Sequence, residues 1–454
     1  MTQKSGFIIF GGTGDLTKRK LAPAIYNLIQ KGLLHEKSYI VGIGRSKLTA
    51  EDYKQSLEAY LPIGYDEKIW EKLRVYYEKG DVRDDEFFKR IEKILEKIEG
   101  GSFNRVYYLA VSYELMPIIT NQLNKYCACH NDRYFRRLVF EKPFGNNYKT
   151  SLKLNLEIHN GFPEEQVYRI DHYLGKETVE NILSLRFANP LFESVWNNKF
   201  IEHIRIVVEE DIGVGNRINF YDQTGAIRDM LQSHLLQVAS LILMNNPLDD
   251  RAESIHNEKI KVLKKLRVKS KDDVVIGQYE SYSKEAKASG IAQTKTETYA
   301  EVKLTCDNPR WRGTSIILRT GKNLKSKVGY IEIAFKKTPC ENYCRRYNIE
   351  TNKMIINIQP NQNIKFSFNH INPHDKKSFK HVDMNFSREK HFGPNSIEAY
   401  EKLLNDCLKG DKTLFTRFDE LQESWRVTDE LRKISKSKKL YIYKDLSEGP
   451  GVLD

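Results

Sequence analysis

The sequence lacks long apolar segments. No run approaches the roughly 18–20 residues that a membrane-spanning helix requires. Near the N-terminus the apolar run FIIF leads directly into glycines, and it is too short for the core of a secretory signal peptide. We therefore expect a cytoplasmic protein with no membrane partner.

Cysteine is also scarce, with 6 among 454 residues. Cys127, Cys129 and His130 lie close enough in sequence to suggest metal ligands. Their spacing differs from the usual pair of cysteines separated by two residues, and no second pair lies nearby. The sequence therefore predicts reduced thiols and no metal site.

Acidic residues are outnumbered: 73 Lys and Arg against 61 Asp and Glu give a formal net charge of +12. Such an excess attracts nucleic acids, anionic lipids or small phosphorylated ligands. The lysines are spread along the chain and no nucleic-acid-binding motif is present, so a small phosphate is the favoured partner and no nucleic acid is expected. The lysine-rich segment KISKSKKLYIYK near the C-terminus reads as solvated surface.

The first third of the chain alternates between strand and helix patterns. The strands are expected at FIIF, SYIVGIG, RVYYLAV and RRLVFEKPF, and the helices at residues 16–31, 51–61, 85–99 and 115–128. This order predicts a Rossmann-like α/β domain with a parallel, doubly wound sheet.

The pattern changes later in the chain. Strand patterns follow one another at FIEHIRIVVEE, YAEVKLTC, GTSIILRTG, GYIEIAF and KMIINIQP, with one long helix pattern at IRDMLQSHLLQVASLILM. Successive strands with segregated helices predict an α+β C-terminal domain with a large, mainly antiparallel sheet. We expect the boundary around residues 165–180, which gives domains of 1–170 and 171–454.

A glycine-rich turn lies between the first strand and the first helix. Its glycines would let the backbone approach a pyrophosphate, which would sit at the helix N-terminus where free N–H groups and the helix dipole favour anions. The motif departs from a strict G-x-G-x-x-G. The cofactor-binding residues predicted here are Gly11, Gly12, Thr13, Gly14, Asp15 and Leu16.

The end of the second strand bears on the choice of cofactor. NAD-binding units usually carry an acid there for the ribose 2′-hydroxyl, whereas an arginine accommodates the 2′-phosphate of NADP. This chain has no acid but Arg45, Ser46 and Lys47. The planar guanidinium of Arg45 suits a phosphate, so NADP is predicted, with NAD as a weaker alternative.

The segment YRIDHYLGKE, residues 168–177, is dominated by charged and polar side chains. Composition alone favours a solvated surface, and the wall of an anion-binding site is the alternative. Arg169 and Glu177 are expected to form structural salt bridges.

Four motifs together resemble the glucose-6-phosphate dehydrogenase family: GGTGDLTKRKL, FEKPFG, RIDHYLGKE and FYDQTGAIRDMLQSHLLQ. WRGTSIILRTGKNL and AYEKLLNDCLKGDKTLFTRFDEL extend the resemblance towards the C-terminus. It implies NADP-dependent oxidation of glucose 6-phosphate to 6-phosphoglucono-1,5-lactone, the first step of the oxidative pentose phosphate pathway. It also implies a homodimer or homotetramer.

The resemblance implies a role for each site residue. His234 would be the general base, and Asp171 would orient it and stabilise the imidazolium. Lys142 would lie between cofactor and substrate and contact both. The residues expected to hold the substrate phosphate are His172, Tyr173, Lys176 and Lys327. Those expected to hold the sugar hydroxyls are Glu210, Asp229 and Lys322.

The chain departs from the family pattern in three respects. In GIGRS the arginine is not preceded by the usual aromatic residue or threonine and alanine, a change we expect to be mild. Ser112 and Tyr113 stand where the family usually has two prolines beside the cofactor, and no second structural NADP site is recognisable near the C-terminus. Two other functions stay open at this point: a dehydrogenase for another hexose phosphate or free glucose, and a catalytically silent homologue that acts as a binding protein.

Overall fold

The structure, a computed structural model, divides into two compact units. One comprises Met1–Gly175 with Ile397–Gln422, and the other Lys176–Ser396 with Glu423–Asp454. The residues that the structure describes are 4–101, 103–127, 134–337, 349–393, 398–451 and 453.

The first unit contains six strands: β1 (Ser5–Phe10), β2 (Tyr39–Gly44), β3 (Arg74–Lys79), β4 (Asn104–Leu109), β5 (Arg136–Phe140) and β6 (Val167–Arg169). They form one sheet in the order β3-β2-β1-β4-β5-β6, and every pairing is parallel. The strand order reverses between β1 and β4, the switch point at which open α/β sheets bind ligands.

Helices connect these strands. They are α1 (Ala22–Gln30), α2 (Ala50–Glu58), α3 (Glu67–Lys72), α4 (Asp85–Glu99), α5 (Met116–Tyr126) and α6 (Tyr148–His159), with a π-helical turn at Thr17–Leu21 and a 3₁₀ turn at Glu164–Gln166. In α4, Asp84 caps the first turn by accepting from the Glu86 amide at 3.0 Å, and Gly100 ends the helix with φ of 60°. Its buried apolar face consists of Phe87, Phe88, Ile91 and Leu95.

The second unit is built on a larger sheet. Its strands are β7 (Ile201–Glu209), β8 (Leu266–Arg267), β9 (Val274–Tyr279), β10 (Tyr299–Cys306), β11 (Ser315–Gly321), β12 (Val328–Phe335), β13 (Lys353–Gln359), β14 (Asn363–Asn372), β15 (Asp375–Ser387) and β16 (Leu440–Tyr443). The strand order is β15-β14-β13-β12-β7-β11-β10-β9-β16, with β8 paired to β10. The pairs β7–β11 and β9–β16 are parallel and the others antiparallel.

The remaining helices are α7 (Glu177–Phe187), α8 (Pro190–Glu193), α9 (Ile218–Ala226), α10 (Leu236–Leu243), α11 (Ala252–Leu263), α12 (Tyr282–Ala288), α13 (Arg388–Phe392), α14 (Ala399–Lys409) and α15 (Phe418–Ser435), with a π-helical segment at Ile227–Leu235 and 3₁₀ turns at Gly215–Arg217 and Lys271–Asp273. Of these, α14 and the first five residues of α15 belong to the first unit. Within the described part of the chain, no helix is both long enough and apolar enough to cross a membrane.

The predicted fold class is confirmed in both parts, but the sequence did not predict every strand. Residues 74–79 form the edge strand β3, which the sequence reading omitted. The segment KISKSKKLYIYK is not simply solvated surface, since Leu440–Tyr443 is a strand paired with β9 and Tyr443 is 4% exposed. The lysines on either side made the short strand β16, which pairs at the edge of the large sheet, hard to recognise in the sequence.

Three of the six cysteines lie within the described residues. Cys127, Cys306 and Cys407 are buried, and burial raises the pKa of both Cys306 and Cys407 to about 12. Cys129, His130, Cys340 and Cys344 lie outside the described residues.

Candidate functional site

The glycine-rich turn of the first unit is tied to the neighbouring strand β2. The amides of Gly11 and Gly12 donate to the Ile43 carbonyl at 3.0 and 2.9 Å. Gly11 has φ of +85°, and a Cβ on Gly12 would lie 2.6 Å from the Gly42 Cα. Only glycine permits both the turn and this close approach of two backbones.

The first helical turn follows at once. The Gly14 amide and the Thr17 hydroxyl both donate to the Gly11 carbonyl, at 2.9 and 3.1 Å, which fixes the turn against the helix start. Amides of a first helical turn have no partner within the helix and so are available to an anion. Thr13, Asp15 and Leu16 belong to this segment. The exposed Asp15 carboxylate pairs with Arg19 at 2.6 Å, which offsets its negative charge at a predicted phosphate site.

Replacing Gly12 by alanine should destabilise the first unit, because the new methyl group would collide with backbone that cannot move as a side chain can. We expect a loss of about 1–3 kcal/mol in the free energy of unfolding, measured as a lower urea midpoint. Gly14→Ala is the matched control, since its Cβ would lie 3.1 Å from the Gly11 carbonyl oxygen and needs a smaller adjustment. An equal or greater loss for the control would contradict this explanation.

Arg45 and Ser46 follow β2 directly and both are exposed. Because Ile43 pairs with Phe10 in parallel register, these residues lie at the same edge of the sheet as the glycine-rich turn. The Ser46 carbonyl accepts a hydrogen bond from Tyr77 at 2.8 Å, which holds the loop against β3. The guanidinium is thus near the switch point and accessible from solvent.

The loops after β4 and β5 share this edge. Ser112 and Tyr113 follow β4, and the Tyr113 hydroxyl accepts from the Asn146 side chain at 2.6 Å. Lys142 follows β5 and is joined to Pro143 by a cis peptide bond. A hydrogen-bonded tyrosine therefore occupies the place where the family usually has two prolines.

Glu141, beside Lys142, was missed by the sequence reading. Its carboxylate accepts hydrogen bonds from Tyr108 on β4 and from Tyr400 on α14. Burial raises the pKa of Glu141 to about 7, although both tyrosines and the charge of Lys142 act in the opposite direction. The position directly after the apolar residues of β5 was the available signal, because a carboxyl there is forced into a partly buried environment.

This raised pKa makes stability depend on pH. Since the folded carboxyl binds its proton more tightly than the usual 4.5, the contribution of Glu141 is fully present below pH 4.5 and is lost as the pH rises through about 7. The difference between these two pKa values corresponds to a loss of at most about 3 kcal/mol in the free energy of unfolding. In wild type the urea midpoint should fall between about pH 5 and about pH 7.5. Glu141→Gln should make this fall smaller, because glutamine does not ionise.

The exposed Glu36 provides the control for that experiment. Glu36→Gln should follow the wild-type pH profile. A Glu141→Gln profile that is identical to wild type would contradict the buried-carboxyl explanation.

Asp171, His172 and Tyr173 follow β6 in the first unit. Asp171 is 3% exposed, and its Oδ1 accepts from the Tyr173 amide at 3.0 Å. The His172 ring lies parallel to that of Tyr400, with centroids 6.5 Å apart. The segment is therefore mostly buried, and the composition-based reading of it as solvated surface is wrong.

The two expected salt bridges of this segment are present. Arg169 is 2% exposed and contacts both oxygens of Glu164, at 2.8 and 3.0 Å. Burial would raise the pKa of Glu164, but the charge of Arg169 and hydrogen bonds from His159 and Arg169 hold it well below its usual range. Glu177 pairs with Arg388 at 3.0 Å.

Several predicted substrate residues of the second unit gather at one edge of its sheet. Glu210 follows β7, Lys322 follows β11, and Lys327 precedes β12; Glu209 pairs with both Gly321 and Val328, which places all three together. Lys327 is exposed. The Lys176 ammonium donates to the Gln359 side chain at 2.5 Å, and Gln359 pairs with Gly329 at this edge. Gln359 was also missed by the sequence reading.

Lys322 is the centre of a charged cluster. It is 5% exposed, and its ammonium contacts the Glu210 carboxylate and lies 3.9 Å from Asp229. The Tyr221 ring lies beneath it, with 5.2 Å from Nζ to the ring centroid. Cationic and anionic groups held together in this way offer both donors and acceptors to a polyhydroxylated ligand.

Asp229 and His234 lie on the π-helical segment Ile227–Leu235. Its bonding from i to i+5 is shown by the Leu236 amide, which donates to the Leu231 carbonyl, and such segments are frequent at functional sites. Residues five apart therefore lie on one side of the segment. His234 is fully buried.

The chain matches two family models that together span nearly its full length. Residues 8–181 match "Glucose-6-phosphate dehydrogenase, NAD binding domain" and residues 183–454 match "Glucose-6-phosphate dehydrogenase, C-terminal domain".

Individual relatives agree with these matches. The chain is 37% identical to glucose-6-phosphate 1-dehydrogenase of Chlamydia muridarum, with 92% of this chain and 88% of the relative covered. It is 36% identical to the Bacillus subtilis protein of the same name, with 99% and 96% covered. A solved structure described as glucose-6-phosphate dehydrogenase in complex with its substrate superimposes with a TM-score of 0.92 at 30% identity, covering 99% of this chain and 96% of that one.

Proposed function

The chain belongs to the glucose-6-phosphate dehydrogenase family, and we propose that it oxidises D-glucose 6-phosphate to 6-phospho-D-glucono-1,5-lactone with NADP. This is the activity of a glucose-6-phosphate 1-dehydrogenase, the first step of the oxidative pentose phosphate pathway. The observation that carries the proposal is the family match over nearly the whole chain, with predicted substrate residues gathered at one sheet edge.

The cofactor assignment rests on the switch-point edge of the first sheet. Backbone amides from Gly11 to Leu16 would bind the pyrophosphate, and Arg45 with Ser46 would bind the 2′-phosphate that distinguishes NADP from NAD. Bound NADP would supply a nicotinamide C4 that accepts hydride. Lack of an acid after β2 favours NADP, with NAD as a weaker alternative.

The chemistry requires a proton acceptor at the anomeric hydroxyl. His234 would take the O1 proton as the C1–H bond delivers its electron pair, leaving an imidazolium that Asp171 would stabilise. Lys142 would donate to O1 and hold negative charge that develops there. The products are then the lactone, the reduced nicotinamide and one proton on His234.

Substrate binding divides between phosphate and sugar. His172, Tyr173, Lys176 and Lys327 would donate charge-assisted or ordinary hydrogen bonds to the phosphate oxygens. Glu210, Asp229 and Lys322 would bind the sugar hydroxyls, and their mutual contacts in the second unit support that assignment.

The organisation proposed for the chain follows from these roles. Residues 1–170 would form the NADP-binding domain, and residues 171–454 the substrate-binding and dimerisation domain. We propose a cytoplasmic homodimer or homotetramer.

A steady-state assay tests the function directly. Reduction of NADP and of NAD is followed by absorbance with glucose 6-phosphate, glucose and other hexose phosphates. The highest kcat/KM is expected for glucose 6-phosphate with NADP. Preference for free glucose would contradict the phosphate assignment, and no turnover with any sugar would indicate a binding protein.

A further inference from the structure

The hydroxyl of Tyr221, in the second unit, differs from those of the tyrosines around it in its hydrogen bonding. The core cluster around β9 and α9 contains Tyr221, Tyr279, Tyr282, Tyr299 and Tyr443. Four of these hydroxyls have protein acceptors: Glu285 for Tyr279 at 2.8 Å, Asp222 for Tyr282 at 3.0 Å, Glu301 for Tyr299 at 2.8 Å, and the Lys322 carbonyl for Tyr443 at 2.6 Å. Within the described residues, the buried Tyr221 hydroxyl has no hydrogen-bond partner.

Such a group needs an explanation, because a buried hydroxyl without a partner is less favourable than the phenylalanine ring that would fill the same space. Tyr221 is 4% exposed. Burial raises the pKa of Tyr221 well above its usual value, and the charges of Asp229, Glu297 and Glu210 raise it further. The hydroxyl therefore keeps its proton and remains a donor in the field of these three carboxylates.

The position of the ring explains why this donor matters. The Lys322 ammonium lies 5.2 Å from the ring centroid, a cation–π contact that holds the lysine near Glu210 and Asp229. Tyr221 thus belongs to the cluster assigned to the sugar hydroxyls. Each sugar hydroxyl donates one hydrogen bond and accepts others, so it matches a site where a tyrosine donor adjoins carboxylate acceptors.

We propose that Tyr221 is a further substrate-binding residue, whose hydroxyl donates a hydrogen bond to a hydroxyl group of the bound hexose. The inference rests on the proposed function and adds a specificity determinant to it. Binding would satisfy the one tyrosine of the cluster that the described protein leaves without a partner.

Tyr221→Phe tests the proposal because it removes only the hydroxyl. We expect the Kd for glucose 6-phosphate, measured by calorimetry, and its KM to rise about tenfold with little change in kcat. The melting temperature should stay the same or rise, since no protein hydrogen bond is lost. Deoxy analogues of glucose 6-phosphate identify the contact: for the analogue that lacks the contacted hydroxyl, wild type and variant should bind equally.

Tyr282→Phe is the matched control, because it removes a hydroxyl of the same cluster that does have a partner. It should lower the melting temperature and leave KM unchanged. A Tyr221→Phe variant that loses stability as the control does, or that binds glucose 6-phosphate as the wild type does, would overturn the proposal. A wild-type protein that binds no glucose 6-phosphate would refute the proposed function as well, so the two failures are distinguishable.

Discussion

Replacing His234 by asparagine is expected to lower kcat by about 10²- to 10⁴-fold, the usual contribution of a general base. An alcohol proton does not leave unaided near neutral pH, whereas an imidazole accepts it at an ordinary operating pH. Asparagine retains a polar side chain of similar reach but accepts no proton at that pH. The Kd for glucose 6-phosphate should therefore change little while turnover collapses.

The control for this experiment is His203→Asn, which replaces a partly buried histidine of the same unit that pairs with Glu332 at 3.2 Å. We expect near-wild-type kcat for that variant. Turnover by His234→Asn at the wild-type rate would show that another group accepts the proton.

Replacing Arg45 by alanine is expected to raise the KM for NADP by about 10- to 100-fold, since hydrogen bonds to charged groups contribute about 1.5–3 kcal/mol. The KM for NAD should change much less, because NAD carries no 2′-phosphate for the guanidinium to bind. The residue is exposed at the sheet edge that carries the glycine-rich turn, so its loss should leave the fold intact.

Lys54→Ala provides a control that removes one positive charge from α2, where the ammonium donates to the Glu71 carbonyl at 3.0 Å. It should leave both KM values near wild type. Equal increases for NADP and NAD in Arg45→Ala would refute the 2′-phosphate role.

The fold was predictable where a single segment carries its own pattern. The helix predicted at 85–99 is α4, and YAEVKLTC is β10, because each shows the periodicity of its element with clear boundaries. The strands β3 and β16 were not predicted, because charged residues beside these short segments obscure the strand pattern. Their extended conformation depends on pairing with β2 and β9. Pairing across the chain is not visible in local sequence.

In the candidate site, too, residues within motifs were predictable, whereas residues whose properties depend on distant neighbours were not. Individual residues such as Glu210 and Lys322 were predicted from motifs, although 112 positions separate them, and the structure brings their side chains into contact. Glu141 and Tyr221 were missed because their properties come from neighbours. The carboxylate of Glu141 is buried against Tyr108 and Tyr400, and the ring of Tyr221 on α9 lies against the ammonium of Lys322, which follows β11.

The central claim is that hydride leaves C1 of glucose 6-phosphate for the nicotinamide of NADP. Glucose 6-phosphate carrying deuterium at C1 tests it most directly, with mass spectrometry of both products after one incubation. The account predicts that the deuterium appears in the reduced cofactor and that the 6-phosphogluconolactone carries none. Deuterium retained in the sugar product, or no reduced cofactor at all, would contradict it.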